Sequence, residues 1–220
     1  MRKETLFITA TDTAAGKTVT TVVLGILLKA QGYDVGVMKP VQCAGGDAKL
    51  LQKMLGVADA QGLINPFYAP EPLSPHLAFR RAKVEFNKNK ILEAFKQLQQ
   101  RHEIMLIEGA GGLRVPLTEN YYNVDLIHDL KADVIIVSRR GLGTINHTLL
   151  TIDKAKAAGL KIKGIIFCDT KGGRKGLPEQ SNPQEIEKLS GVKVLGIIPY
   201  LKPLTKANIL RRCKTIKLDF

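Results

Sequence analysis

The sequence predicts an α/β domain, a mostly parallel β-sheet flanked by helices on both faces. Three observations carry that prediction. Short apolar runs alternate with segments of helical spacing along the whole chain. The apolar runs are near-continuous, as in strands buried on both faces of a parallel sheet. Glycines, prolines and charged residues gather just after these runs, at the carboxyl ends where such sheets bind ligands. The 220 residues suffice for one sizeable domain, 1–220, and not for two.

Thr5 to Thr9 reads as the first strand, and Lys17 to Gln31 as a helix closed by Gly32. Asp34 to Met38 is the second strand, ending at Lys39-Pro40. Gly45-Gly46 leads into a helix from Asp47 to Leu55, stopped by Gly56. Asn65 to His76 carries four prolines and reads as a long irregular connection, a kind of loop that often holds function. Asn89 to Arg101 is helical, and Glu103 to Ile107 is a buried strand running into Glu108-Gly109-Ala110-Gly111-Gly112. A short helix, Val124 to Leu130, precedes a strand from Ala132 to Ser138. A helix from Thr144 to Ala158, closed by Gly159, precedes a strand from Lys161 to Cys168. Thr170 to Ser181, rich in glycine and lysine, reads as a mobile loop. Pro183 to Ser190 is a helix with Asn182 as its expected cap, and Lys193 to Ile197 is the last strand, ended by Pro199.

Composition narrows the function. No apolar run approaches the roughly 20 residues of a membrane span. Met1-Arg2-Lys3-Glu4 leads straight into the first strand without the apolar core of a signal peptide, so a cytoplasmic location is expected. Cys43, Cys168 and Cys213 lack metal-ligand spacing and fit reduced thiols. The net charge of +13 is spread along the chain, with a modest concentration at Arg211, Arg212, Lys214 and Lys217. Tryptophan is absent and no nucleic-acid motif is found, so the charge reads as a solvated basic surface with some pull on anionic substrates.

The segment most informative about chemistry is Thr11-Asp12-Thr13-Ala14-Ala15-Gly16-Lys17-Thr18. A strand enters a turn, the turn ends in Gly-Lys-Thr, and a helix starts at once. Backbone N–H groups of such a turn face a polyphosphate, the lysine adds positive charge, and the threonine hydroxyl suits Mg²⁺. The arrangement is P-loop NTPase-like. The small residue Ala10 is expected to open the loop, making it one residue longer than the usual pattern. Asp12 would repel phosphate if turned inward, so it is expected to face outward or cap the turn.

Glu108 follows a buried strand, where nucleotide-hydrolysing proteins of this architecture place an acid near Mg²⁺. Asp47 reads as an N-cap, as a second acid for the metal, or as both. Lys39, at a strand end, either reaches into the ligand crevice or snorkels to the surface. Asn146 and His147 start a helix after Gly141-Leu142-Gly143. The helix N-terminus suits a carboxylate, Asn146 offers it a side-chain hydrogen bond, and His147 reads as a packed core histidine.

Taken together, these residues resemble the dethiobiotin synthetase family. The matching segments are the Thr11 to Thr18 loop, Lys39-Pro40-Val41, Gly46-Asp47-Ala48, Ser74-Pro75-His76, Glu108 to Gly112 with Pro116-Leu117, Gly143 to His147, and Gly196-Ile197-Ile198-Pro199. The resemblance spans about residue 5 to residue 201. It implies ATP-dependent closure of a ureido ring from 7,8-diaminopelargonate and CO₂ or bicarbonate, a step of biotin biosynthesis. Lys17, Lys39 and Thr13 would act at the reacting centre, and Thr18, Asp47 and Glu108 would hold Mg²⁺. ATP would meet Ala14, Ala15, Gly16, Lys17, Thr18 and Val19, with Gly109, Ala110 and Gly111 beside its phosphates. Cys168, Asp169, Pro199, Tyr200 and Leu201 would frame its base. Cys43 and Gly111 would line the substrate site. The family is homodimeric, so Thr144, Ile145 and Asn146 would reach the carboxylate of a substrate held mainly by the other subunit.

Departures from the family pattern matter. Many members carry an acid at the position of Ala14 and a serine at that of Cys43, and the adenine-reading asparagine has no counterpart near Cys168-Asp169. Looser selection of ATP over other nucleoside triphosphates is therefore expected. A partition or positioning ATPase is the alternative from another class. It would carry a signature lysine early in the loop, and positions 10 to 15 contain none. A family member that binds nucleotide without catalysis is the other alternative.

Overall fold

The computed structural model describes residues 3–216 and 218. Met1, Arg2 and Lys217, which entered the expectations above, lie outside the described residues, as do Asp219 and Phe220. The central sheet has six strands, all parallel. In chain order they are β1 (Glu4–Ala10), β2 (Val35–Met38), β5 (Ile104–Glu108), β8 (Asp133–Ser138), β9 (Ile162–Cys168) and β10 (Val194–Ile198). Their spatial order is β10-β9-β8-β1-β5-β2, so the first strand of the chain sits in the middle. Two small two-stranded sheets lie outside it. β3 (Val41–Cys43) pairs parallel with β4 (Phe67–Ala69), and β6 (Pro116–Thr118) pairs antiparallel with β7 (Tyr121–Tyr122).

Strand alternation divides the core into two layers. Phe7 of β1 and Val134 and Ile136 of β8 face one side. Leu6 and Ile8 of β1 and Ile135 and Val137 of β8 face the other. The first layer is covered by α4 (Pro75–Ala82), α5 (Lys88–Arg101), α6 (Asn123–Leu130), α7 (Thr144–Ala157) and α8 (Leu177–Ser190). The second is covered by α1 (Lys17–Ala30), α2 (Asp47–Leu55), α3 (Gln61–Ile64) and α9 (Lys206–Arg212). Both faces of the sheet are buried, which is why its strands read as unbroken apolar runs.

Four local expectations are corrected. Ala10 pairs with Val137 as the last residue of β1, so it does not open the phosphate loop. Thr11 through Gly16 then occupies the same span as the usual G-x-x-x-x-G, with Thr11 at the place of the first glycine. The stretch from Asn65 to His76 is not wholly irregular, since it contains β4 and the start of α4. The expected loop over Thr170 to Ser181 turns into α8 at Leu177. Asn182 therefore sits inside α8 rather than capping it, and donates to the carbonyls of Arg140 at 2.8 Å and Gly141 at 3.3 Å.

Pro183 also lies inside α8 and cannot donate to the carbonyl of Glu179 one turn back. The guanidinium of Arg140 supplies that missing donor at 3.0 Å, which lets the helix run through the proline.

Candidate functional site

All six parallel strands end on one side, and the special residues follow from those ends. The loop after β1 holds Thr13, Ala14, Ala15, Gly16 and Lys17. Gly16 precedes α1 at φ 101°, in the left-handed region. A Cβ there would lie 2.5 Å from Cys168 Sγ, so both backbone angle and space demand glycine. Ala14 takes the same region at φ 56° without being glycine. Asp12 is turned outward, as expected. Its carboxylate accepts the Thr13 N–H at 2.6 Å and pairs with Arg139 at 3.1 Å.

Lys39 follows β2 and is buried, so the surface-snorkelling alternative does not hold. Its Nζ lies 2.5 Å from Glu108 Oε1, 3.1 Å from Asp47 Oδ2 and 3.4 Å from the Gly109 carbonyl. Asn65 fixes the backbone beneath it, donating to the Lys39 carbonyl at 2.6 Å. Burial is the largest influence on Lys39 and opposes its charge, but Glu108 and Asp47 together hold its pKa above the ordinary lysine value. Lys17 is shifted the other way, lowered by burial and then by the nearby Lys39 ammonium against the pull of Glu108, Asp47 and Asp12.

Asp47 is not the cap of α2. Gly46 occupies that position, and Gln42 supplies the missing acceptor: its Oε1 takes the Ala48 N–H at 2.8 Å while its Nε2 donates to the Gly45 carbonyl at 2.9 Å. Asp47 is thereby free to face Lys39. Glu108 is wholly buried at the end of β5, and Thr18 Oγ1 donates to its Oε1 at 2.9 Å. The turn after it is held by Asn123, whose amide donates to the carbonyls of Ala110 at 2.6 Å and Gly112 at 2.8 Å. Sequence reasoning missed both Gln42 and Asn123. Gln42 has only the signal of a polar residue beside Gly45-Gly46, and Asn123, eleven residues beyond Gly112, has none.

Thr13, Ala14, Gly16, Lys17, Thr18, Val19, Lys39, Cys43, Asp47, Glu108, Ala110 and Gly111 all border one cavity of about 670 Å³. Ala15 and Gly109 are buried behind it. Leu73, Ser74 and Pro75, at the start of α4, close one side. Burial raises the Cys43 thiol there above its usual pKa, so it serves as a neutral, weak donor.

The donor set suits Mg²⁺. Thr18, Asp47 and Glu108 offer hard oxygens, and Glu108 Oε2 is buried without a hydrogen-bond partner. Among the described residues no group of three or more His, Cys, Asp or Glu could hold a metal ion, so phosphate oxygens or water would have to complete the coordination.

The other expected residues lie elsewhere. Cys168 and Asp169 border a second cavity of about 330 Å³ beyond β8 and β9, together with Thr144. Burial, and then Asp169, push the Cys168 thiol up to about 12. The Asp169 carboxylate is engaged by Arg140 in a fork, at 3.0 Å to Nε and 2.6 Å to Nη2. Pro199, Tyr200 and Leu201 follow β10 and border neither cavity. Thr144 is buried; its hydroxyl donates to the Arg139 carbonyl at 2.5 Å and its backbone N–H to the Gly141 carbonyl at 3.2 Å. Ile145 is half-buried and Asn146 is exposed. His147 is exposed on α7 rather than packed in the core.

A parallel α/β sheet with a strand–loop–helix anion cradle, a buried lysine and a buried acid defines a P-loop nucleotide-binding protein. The chain matches the family described as AAA domain over residues 4–208. It is 38% identical to the ATP-dependent dethiobiotin synthetase BioD of Nitrosopumilus maritimus over 216 residues, 94% of each chain. It is 40% identical to that of Bacillus cereus strain G9842, over 94% of this chain and 88% of the relative. For that of Thermodesulfovibrio yellowstonii the identity is 39%, over 92% and 91%. The chain belongs to the ATP-dependent dethiobiotin synthetase family.

Solved structures agree on the fold. A nucleotide-binding protein in complex with ADP from Archaeoglobus fulgidus aligns with a TM-score of 0.53 and 14% identity, over 94% of this chain and 86% of that one. The signal recognition particle 54 kDa protein of Aeropyrum pernix in complex with GDP aligns at 0.58 with 18% identity, over 94% and 43%.

Proposed function

We propose that this chain makes dethiobiotin from 7,8-diaminopelargonate, CO₂ and ATP. Beside membership of the family, one observation carries the reading. Two ammonium groups, Lys17 and Lys39, and two carboxylates, Asp47 and Glu108, meet in one cavity with room for phosphates and a small amine.

One substrate amine takes up CO₂ as a carbamate and releases a proton. A carbamate oxygen then attacks the γ-phosphorus of ATP, the bond from that phosphorus to the ADP oxygen breaks, and a carbamic–phosphoric anhydride forms. The second amine attacks the carbamoyl carbon. Phosphate leaves with the carbamate's oxygen, and the amine's proton passes to phosphate or water. No general base is required for the phosphoryl transfer, because the carbamate is already an anion.

Lys17 and Lys39 offset charge on the carbamate and the transferring phosphoryl group, and Thr13 donates a hydrogen bond there. Holding the two reactants together supplies up to about 7–11 kcal/mol of the barrier. Thr18, Asp47 and Glu108 hold Mg²⁺, which when bound draws charge off the phosphate oxygens. Ala14 to Val19 and Gly109 to Gly111 lie along the phosphates. Cys168, Asp169 and Pro199 to Leu201 frame the base, and Cys43 and Gly111 border the substrate.

Thr144, Ile145 and Asn146 serve the substrate of a second copy. Asn146 is exposed and does not border the cavity that holds Cys43 and Gly111, which favours a homodimer. Leu142 and Leu150, 94% and 60% exposed beside it, fit the same reading. Among the described residues no helix is long and apolar enough to cross a membrane, and all three cysteines are free thiols. We place the enzyme in the cytoplasm, as a single domain over 1–220.

The test is direct. Purified protein with diaminopelargonate, bicarbonate, Mg²⁺ and ATP should yield dethiobiotin by mass, and the Lys17→Ala variant should not. ATP binding with no dethiobiotin in the wild type would favour the non-catalytic alternative.

A further inference from the structure

We propose that Lys39 gates the metal: its ammonium occupies the acid pair in the nucleotide-free protein, so that the divalent cation enters only together with a polyphosphate. The proposal rests on the reading that Thr18, Asp47 and Glu108 hold Mg²⁺.

The ammonium has three N–H groups, and three acceptors surround it: Glu108 Oε1, Asp47 Oδ2 and the Gly109 carbonyl, at 2.5, 3.1 and 3.4 Å. Glu108 Oε1 is shared further with the Thr18 hydroxyl. Thus all three side chains that would meet the metal are tied, directly or through Glu108, to Lys39.

Charge points the same way. The positive charges of Lys17 and Lys39 cancel the negative charges of Asp47 and Glu108. A free divalent cation therefore finds no surplus negative charge among these four, and it would stand beside an ammonium. Without a cluster of three or more His, Cys, Asp or Glu among the described residues, the protein alone offers no competing cage.

A polyphosphate reverses each point. It brings negative charge, supplies the missing oxygen ligands, and gives the Lys39 ammonium another partner in the same cavity. The side chain then passes from the acids to the transferring group, and Glu108 and Asp47 are released for the metal. Lys39 becomes a positioning residue for the cation as well as a group at the reacting centre.

Mn²⁺ titrated into the full chain and followed by electron paramagnetic resonance tests this without turnover. In nucleotide-free wild type the Mn²⁺ should stay free at concentrations where protein loaded with a non-hydrolysable ATP analogue immobilises it. Nucleotide-free Lys39→Met should bind Mn²⁺ about tenfold or more tightly than wild type. Lys39→Gln, which keeps a donor for Glu108, provides the second variant, and melting temperatures establish that each is folded.

Two results overturn the gate: wild type binding Mn²⁺ as tightly without nucleotide as with it, or folded Lys39 variants showing no gain. Asp47→Asn in the analogue-loaded protein separates the underlying reading. Weakened Mn²⁺ binding there supports the metal role, so that absence of gain in the Lys39 variants overturns the gate alone. Unchanged Mn²⁺ binding removes the metal role of Asp47 and the gate with it.

Discussion

Arg140 supplies the hydrogen bond that Pro183 withholds, reaching the Glu179 carbonyl at 3.0 Å while its other nitrogens grip Asp169. One side chain thus ties α8 to the end of β9, beside the residues proposed to frame the nucleotide base. Arg140→Met would leave a helix carbonyl without its partner and a buried carboxylate with only Lys175, 3.6 Å away. We expect a loss of about 2–4 kcal/mol in denaturant unfolding. Pro183→Ala restores the helix donor, so the double variant should be less destabilised than the sum of the two single changes. Strict additivity would show that Arg140 does not act through that carbonyl.

Gln42 performs the capping that Asp47 was expected to perform. Gln42→Ala removes the acceptor of the Ala48 N–H and leaves Asp47 as the nearest replacement. Stability should fall by about 1 kcal/mol. Activity should fall further than that loss explains, because an Asp47 drawn to the helix end leaves Lys39. Unchanged kcat with only a lower melting temperature would confine Gln42 to a structural role.

The lowered pKa of Lys17 makes nucleotide binding proton-linked. Burial, then the Lys39 ammonium, favour its neutral form in the empty site, whereas bound phosphate favours the charged form. Binding therefore takes up a proton, and Kd should rise as pH climbs through a value below the ordinary 10.5. Lys39, shifted upward, stays charged through that window. For stability the sign is opposite to that of a paired lysine: between the lowered value and the unfolded one the unfolded chain holds more protons, so this group's contribution improves with pH. A Kd independent of pH up to about 10 would contradict the assignment.

Base selection should be loose. No asparagine stands at Cys168-Asp169 in the sequence, the Cys168 thiol is neutral, and the Asp169 carboxylate is engaged by Arg140. We expect kcat/KM for CTP and GTP to lie closer to that for ATP than strict base reading would give. A preference for ATP of about a thousandfold or more would show that other groups read the base.

The sheet strands and the residues just after them were legible because buried parallel strands leave unbroken apolar runs, as in Leu6 to Ile8 and Ile104 to Ile107. Lys39 and Glu108 announced themselves as charges at the ends of such runs. The strands β3, β4, β6 and β7 were not legible, since two or three residues carry no periodicity. The start of α8 was hidden because Asn182-Pro183 imitates a cap and first turn, whereas Glu179 accepts the Gly176 N–H at the true start and Arg140, distant in sequence, bridges the proline. His147, read as a packed core histidine, is exposed because α7 turns its buried stripe along Thr144, Thr148, Ile152 and Ala155.

The central claim is that the cavity of Lys17 and Lys39 joins a carbamate to the γ-phosphoryl group. Bicarbonate labelled with ¹⁸O tests it most directly, because the oxygen that attacks phosphorus departs with it. The account predicts one ¹⁸O in the inorganic phosphate released with each dethiobiotin. Phosphate that carries no label, its new oxygen drawn from water, would contradict it.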